Sequence, residues 1–570
     1  MEKKKNQKSF YFEDYVQTKD IENIGTKTLN NLKISFNRVI FVFFIFISLI
    51  SIFSFKIIYL SISKDTITSL KPINTNLIKT RADIVDRNDV IIARNIDIYS
   101  AGVRSKLVKD KKKLLINLRL IFPNLEFKKI ESQLEEKNFL YIKKRLSEKE
   151  RYKLWLLGNK SITFDKKQIR VYPQKNLFSH IIGQIDEDNN GISGIEKSFD
   201  TRIKNKKFIN SPLQLTLDSN LQFLIREELL NAQIEFDAIG SAAVLMDVKN
   251  GEILSLVSLP DFDLNRRSTI NDTVYTNKIT KGVYELGSVF KSFTLAAALE
   301  YNVLNVDTKF KNLKNKIFCG GKSISEHDKL PKDLSAQEIL IRSSNIGAVR
   351  IAQKLGENRF KDFLNSLKLF QKINLEIEEV GTPLKFRWGK CKLATASFGH
   401  GVTTTPLQLA RAYAILGNGG VEIQPTLLKE NINFKTGDRI VSNKTSNQIN
   451  LILRKIVTNK EGTANFADVK GYEVGGKTGT ALKSINGKYS KKKFNTFVSL
   501  FPISKPNYVL LVILDEPKPA PELTYIIDGY KVKGIKRNES GWNAVYVAGK
   551  IIEKIGPILA INKFQAFKNF

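Results

Sequence analysis

The chain is poor in the residues that build metal sites and redox pairs. Its 570 residues include two cysteines, Cys319 and Cys391, and three histidines, His180, His327 and His400. No Cys-x-x-Cys and no His-x-x-x-His occurs, so a zinc-type centre lacks its ligand spacing and no metal site or cofactor is expected. Two cysteines make no disulfide framework; they either pair in an oxidising compartment or stay as two buried thiols. Internal repeats and long low-complexity linkers are absent. A second long apolar run is also absent, so one membrane crossing at most is expected. Acidic residues are scarce beside basic ones, 57 against 91, for a net charge of +34. Such a charge suits nucleic acid, an anionic membrane surface or an acidic polymer. The lysines are scattered and accompany no nucleic-acid motif, so they read as solvated surface.

What is present is a chain long enough for two or three domains, with 42% hydrophobic and 26% charged residues, as in ordinary globular proteins. Val39 to Phe55 is apolar without a charge and continues past Lys56 to Leu60. A bilayer core of about 30 Å needs about 20 such residues, and Lys56 can reach the headgroups. Lys3, Lys4, Lys5, Lys8, Lys19, Lys27, Lys33 and Arg38 precede it. Positive flanking charge keeps that side cytoplasmic. No small-residue cleavage site follows, so the segment reads as an uncleaved anchor in the inner membrane. The remainder is expected outside the cytoplasm, which argues against nucleic acid.

Four regions are expected: a tail over 1–38, the anchor over 39–60, a mixed region over 61–211 and a larger domain over 212–570. The mixed region alternates like a strand near Ala82–Ile92 and has helical stretches around Lys109–Ile121 and Lys128–Glu136. In the larger domain, Leu217–Ala232 has helical periodicity. Gly240–Asp247 and Glu252–Ser258 read as strands joined at Asn250-Gly251, a hairpin turn signal. Phe497–Phe501 and Tyr508–Leu514 form another apolar pair, and Asn543–Ile555 repeats apolar residues on one helical face. Strands at both ends with helices between them predict an α+β domain.

Three short motifs follow one another there. Ser288-Val289-Phe290-Lys291 opens a stretch of helix formers, so Ser288 is expected at a helix N-terminus with Lys291 one turn behind. A neutral Lys291 can take the serine proton, which requires burial or a second cation to lower its pKa. Ser343-Ser344-Asn345 follows a helix with a capping box at Ser335–Glu338 and precedes another helix. Lys477-Thr478-Gly479-Thr480 suits a strand; Gly479 would leave room for a ligand, and Lys477 would supply positive charge for a carboxylate and depress Lys291. Three look-alikes are set aside: Ser61–Lys64 beside the membrane, Lys435-Thr436-Gly437 as a hairpin turn, and Ser484-Ile485-Asn486 in a polar stretch, Lys483–Lys493, that reads as a surface loop.

Ser-x-x-Lys, Ser-x-Asn and Lys-Thr-Gly in this order resemble the signature of penicillin-binding proteins and serine β-lactamases. Arg81–Asn88, Tyr172-Pro173 and Gly191–Glu196 resemble boxes of the pedestal domain in class B penicillin-binding proteins. Ser397–Gly401 with Thr405–Ala410 resembles the division-specific (FtsI) type, and Asp515-Glu516-Pro517 also fits. Leu286 and Ser292 stand where the family often has proline. The resemblance implies an elongated mixed α/β pedestal and a transpeptidase domain with an antiparallel sheet covered by helices. It implies a D,D-transpeptidase acting on D-Ala-D-Ala stem peptides at the septum and acylated by β-lactams. Ser288 would be the nucleophile and Lys291 the base. Ser343 and Asn345 would relay protons and hold the substrate amide. Lys477, Thr478 and Thr480 would bind the carboxylate, and the N–H groups of Ser288 and Thr480 would form the oxyanion hole. A partner polymerase of the FtsW type would act with it. Side-wall elongation, D,D-carboxypeptidase or β-lactamase activity, and a non-catalytic sensor or scaffold are the alternatives.

Overall fold

The computed structural model describes residues 26–62, 80–266, 272–389, 391–429, 437–485, 487–527 and 529–568. The chain divides into two compact units, Met1–Ile78 and Lys79–Phe570. The first holds helix α1, Thr26–Ile62. Its 20-residue stretch Ile40–Tyr59 is long and apolar enough to cross a membrane. At about 1.5 Å per residue it is about 30 Å long, the thickness of a bilayer core. The predicted anchor falls within this helix. Most of the basic tail and Lys64 of the first look-alike lie outside the described residues.

The second unit starts with a two-residue strand followed by a 14-residue one. β1 (Ile84–Val85) pairs antiparallel with β2 (Ile91–Arg104). The expected continuous alternation from Ala82 to Ile92 is interrupted because Asp86 accepts hydrogen bonds from the N–H groups of Asn88 and Val90, closing an Asx-type turn. β2 also pairs antiparallel with β3 (Phe139–Leu146) and β4 (Ile162–Val171). Helices α2 (Lys111–Ile121) and α3 (Phe127–Glu136) lie between β2 and β3, and α4 (Glu148–Leu156) between β3 and β4. Asp110 caps α2, and Ser147 with Glu150 forms a capping box on α4. Leu114, Leu118, Ile130, Leu134, Leu140 and Leu154 close a small core of their own.

The near half of this region shares its core with the next domain. Ala82, Ile84, Ile92, Tyr172 and Ile181 belong to one apolar cluster with Leu229, Val244 and Leu511. A buried ion-pair group stands beside it. Arg81 contacts Glu196 and Asp200 at 2.5 Å each, and Arg170 reaches the other Glu196 oxygen at 2.6 Å. The sequence boxes beginning at Arg81 and ending at Glu196 thus meet in space. β1 then pairs in parallel with β5 (Leu213–Gln214), which leads into the larger domain.

That domain opens with helix α5 (Ser219–Glu235), capped by Asp218. Strands β6 (Gly240–Asp247) and β7 (Ile253–Leu259) form the predicted hairpin, with Gly251 at φ +76°. They join β8 (Gly475–Ile485), β9 (Lys488–Phe501) and β10 (Tyr508–Asp515) in one antiparallel sheet of order β8-β9-β10-β6-β7. Every residue of β7 is buried, so both faces of the sheet are covered there. Helix α5 and the last helix, Ala544–Lys568, pack on each other and on the sheet; Pro406–Gly417 and Asn443–Thr458 also pack on it.

Lys483–Lys493, expected as a loop, is instead the distal end of the β8-β9 hairpin, paired Ser484↔Tyr489 and Ile485↔Lys488 around Gly487. Its charged composition reflects projection into solvent while the backbone groups stay paired. Asn486 and residues 430–436, which carry most of the Lys435-Thr436-Gly437 look-alike, lie outside the described residues. Cys319 and Cys391, left open by the sequence, form a disulfide with Cα atoms 5.6 Å apart.

Candidate active site

Ser288 lies in a single 3₁₀ turn, Gly287–Phe290, and Lys291 is the first residue of the α-helix that follows, Lys291–Glu300. The serine is therefore just ahead of the α-helix, with the lysine three residues on. Phe293, Leu295, Ala296, Ala297 and Ala298 are all buried, so this helix runs through the core and fixes the turn at its start. Tyr413 holds the turn from behind: its hydroxyl donates to the Val289 carbonyl at 2.8 Å and is hydrogen-bonded with the Ser292 hydroxyl at 2.9 Å. Ser292, where the family often has proline, thus gains a buried hydrogen-bond partner.

Glycines let three segments meet around Ser288. Gly287 has φ +65°, and a Cβ there would come within 2.8 Å of the Thr480 carbonyl oxygen. A Cβ on Gly479 would be 2.2 Å from the Leu286 carbonyl oxygen, and one on Gly399 (φ +77°) would be 2.2 Å from that of Gly287. Gly479 was expected to clear a path for ligand; in the fold its missing side chain admits the backbone that carries Ser288. The Ser397–Gly401 segment is tied from the other side, where Thr294 Oγ1 donates to the Ser397 carbonyl at 2.7 Å.

The other motifs converge on the same place. Ser343 sits at φ +59°, a left-handed conformation uncommon for serine, and Ser344 caps the helix Asn345–Leu355. Lys291 Nζ donates to the Ser343 carbonyl at 2.5 Å and to Ser343 Oγ at 3.2 Å. Lys477 Nζ, from β8, donates to the same Oγ at 2.9 Å and to the Thr478 carbonyl at 3.1 Å. One serine hydroxyl thus bridges two lysine amines. Asn345 Nδ2 donates to the Ser325 carbonyl at 2.9 Å. Thr478 Oγ1 hydrogen-bonds Thr463 Oγ1 at 2.9 Å, and Thr480 Oγ1 accepts from the Ser540 N–H at 3.0 Å.

Lys291 is 2% exposed and Lys477 is fully buried. Among the described residues neither forms an ion pair with a carboxylate. Burial pushes Lys291 down to about 7, with Glu326 acting in the opposite direction. Lys477 is held well below the ordinary lysine range by burial and by the charge of Lys291. Burial is the largest cause for both lysines, and the repulsion between the two amines adds to it.

The structure brings Lys291, Ser343 and Lys477 into direct contact, with Ser288 one turn from Lys291, Asn345 two residues from Ser343, and Thr478, Gly479 and Thr480 on the Lys477 strand. Sequence motifs missed Thr463, Ser540, Tyr413 and Glu326. Each reaches the site from a distant segment, and no local spacing marks it. No cluster of three or more His, Cys, Asp or Glu side chains fit for a metal ion occurs among the described residues.

Comparison with known proteins identifies the two domains and the family. Residues 241–530 match the family described as "Penicillin binding protein transpeptidase domain", and residues 78–211 match "Penicillin-binding Protein dimerisation domain". The chain is 30% identical over 495 residues to the probable peptidoglycan D,D-transpeptidase FtsI of Caulobacter vibrioides, covering 85% of this chain and 82% of the relative. It is 28% identical over 558 residues to the peptidoglycan D,D-transpeptidase FtsI of Buchnera aphidicola, covering 88% and 94%. Penicillin Binding Protein 2X from Streptococcus thermophilus shares the fold at a TM-score of 0.71 and 18% identity, over 85% of this chain and 80% of that one. With a dimerisation domain ahead of a transpeptidase domain, and with these relatives, the chain belongs to the class B penicillin-binding proteins of the FtsI type.

Proposed function

We propose that this protein cross-links peptidoglycan as a serine D,D-transpeptidase at the division septum, and that β-lactams acylate it. The observation that carries the reading is the pair of buried lysines sharing the Ser343 hydroxyl beside the Ser288 turn. Ser288 Oγ attacks the carbonyl of the penultimate D-Ala while Lys291 Nζ takes its proton. A lysine lowered to about 7 is neutral in a large fraction of molecules at physiological pH. The N–H groups of Ser288 and Thr480 receive the oxyanion. Collapse breaks the C–N bond, and the leaving amine takes a proton passed through Ser343. Asn345, its amide oriented by the Ser325 carbonyl, holds the substrate amide. Lys477, Thr478 and Thr480 bind the terminal carboxylate, and its arrival supplies the anionic partner that restores the proton on Lys477. Gly479 keeps the strand against the Ser288 turn. An amine from a neighbouring stem then takes the acyl group and frees Ser288.

The domain plan goes with this reading: tail 1–38, inner-membrane anchor 39–60, pedestal 61–211 and catalytic domain 212–570. The tail lies in the cytoplasm and the catalytic domain outside it. A glycosyltransferase of the FtsW type supplies the glycan strand. Labelling the full-length protein with a fluorescent penicillin and mapping the modified peptide tests the reading. Label on the peptide containing Ser288 is expected, as is its loss in Ser288→Ala. An unlabelled wild type, or label retained in Ser288→Ala, sinks it. Free tetrapeptide in place of cross-linked dimer would reassign the activity to a carboxypeptidase.

A further inference from the structure

One carboxylate outside the three motifs organises the second of them. Glu326 follows the hairpin of strands Lys316–Cys319 and Lys322–Ser325. Its Oε1 accepts from Ser344 Oγ at 2.6 Å and from the Ile346 N–H at 2.9 Å, and its Oε2 accepts from the Asn345 N–H at 2.7 Å. Ser344 Oγ in turn accepts from the Gly347 N–H at 2.8 Å. The helix Asn345–Leu355 thus begins on a carboxylate delivered from a segment almost twenty residues upstream, where its unpaired N–H groups favour negative charge. The preceding residue, Ser325, holds the Asn345 amide through its carbonyl. Cys319, on the same hairpin, is bonded to Cys391 at the start of the helix Lys392–Ala396, which leads to Gly399 against the Ser288 turn. The hairpin is anchored at one end by the disulfide and grips the Ser-x-Asn motif at the other.

We propose that Glu326 is a positioning residue for acylation: it fixes the start of the helix so that Ser343 keeps its left-handed conformation between the two lysines, and it provides the negative charge facing Lys291. This rests on the proposed role of Lys291 as base. The charged and titratable groups in electrostatic reach of Lys291 are Lys477 from β8 and Glu326 and His327 from the hairpin segment. Of these, Glu326 is the group that favours the lysine proton. Glu326→Gln removes that charge and turns an amide N–H toward backbone donors. Lys291 then loses its proton more readily, and the Ser343 turn loses its grip.

The test is the pH profile of acylation by a fluorescent penicillin, on the full chain in detergent. Glu326→Gln is expected to lower the plateau rate by about tenfold to a hundredfold, as small misplacements of catalytic groups do. Its acidic limb should move to lower pH by roughly one unit. Glu326→Asp keeps the charge and should restore the wild-type limb, with a plateau lowered by the shorter reach. A purely structural role would lower the plateau and leave the limb in place. An unmoved limb in Glu326→Gln, or a plateau within about twofold of wild type, overturns the inference. Should Glu326→Gln fail to fold, Glu326→Asp decides: a plateau equal to wild type, or a limb moved to lower pH, overturns it. A wild type that takes no label at Ser288 defeats the functional reading, whereas a labelled wild type with unmoved variants defeats only this one.

Discussion

In the pedestal, Arg81 and Arg170 lie buried with carboxylate oxygens of Glu196 and Asp200 at 2.5–2.6 Å. In the transpeptidase domain, Lys291 and Lys477 are buried as deeply, and their hydrogen-bond partners are a serine, a threonine and backbone carbonyls. A guanidinium keeps its proton under any protein conditions, so burying one demands an anion. An amine can answer burial by giving up its proton. Paired arginines hold two sequence boxes of the pedestal together. Unpaired lysines store a proton-accepting capacity that water would erase. Charge type and the lack of a carboxylate in contact, more than depth of burial, separate the structural cluster from the chemical one.

The most severe way to break this comparison is to give the active site an arginine. Lys291→Arg keeps a cation but cannot become a base, and penicillin acylation should fall on the order of a thousandfold or more. Stopped-flow labelling measures it, and a loss smaller than tenfold would remove Lys291 as base. In the pedestal, Glu196→Gln leaves Arg81 and Arg170 without their shared anion. It should destabilise the protein by about 3–5 kcal/mol, read by chemical denaturation. The protein that remains folded should acylate at the wild-type rate.

The same experiment on the other cluster should have the opposite sign. Lys291→Met removes an amine that the fold holds below its ordinary pKa, and should stabilise by roughly 2–4 kcal/mol at neutral pH while abolishing acylation. Because the folded pKa is depressed to about 7, the unfolded chain binds more protons between there and the ordinary lysine value. Wild-type stability therefore rises with pH across that window, and the advantage of Lys291→Met fades as it does. A destabilised Lys291→Met would show that the lysine is a structural cation after all. Smallest in size is the acidic limb of the wild-type profile. Acylation should rise by about tenfold per pH unit below about 7 and level off above it, as neutral Lys291 accumulates.

Much of the catalytic framework is local and was readable. Ser288 and Lys291 are three residues apart, the Ser335 capping box does begin a helix, and Asn250-Gly251 does turn a hairpin. Where the sequence misled, the deciding partner was remote. Lys483–Lys493 looked like a loop because its charges say nothing of the backbone pairing between β8 and β9. Gly479 looked like room for a ligand, but the Leu286 carbonyl that occupies that room is nearly two hundred residues away. Glu326 carries no motif, and its partners become visible only once the hairpin folds back on Ser344.

The apolar helix long enough to cross a membrane, the order of the motifs and the family were legible in the sequence, because these depend on composition and on spacing along the chain. Which glycines admit neighbouring backbone, that Cys319 and Cys391 join, and how deeply the two lysines are buried together came from the folded chain alone. Desolvation and close packing are sums over atoms brought from many parts of the chain, and no window of sequence contains them.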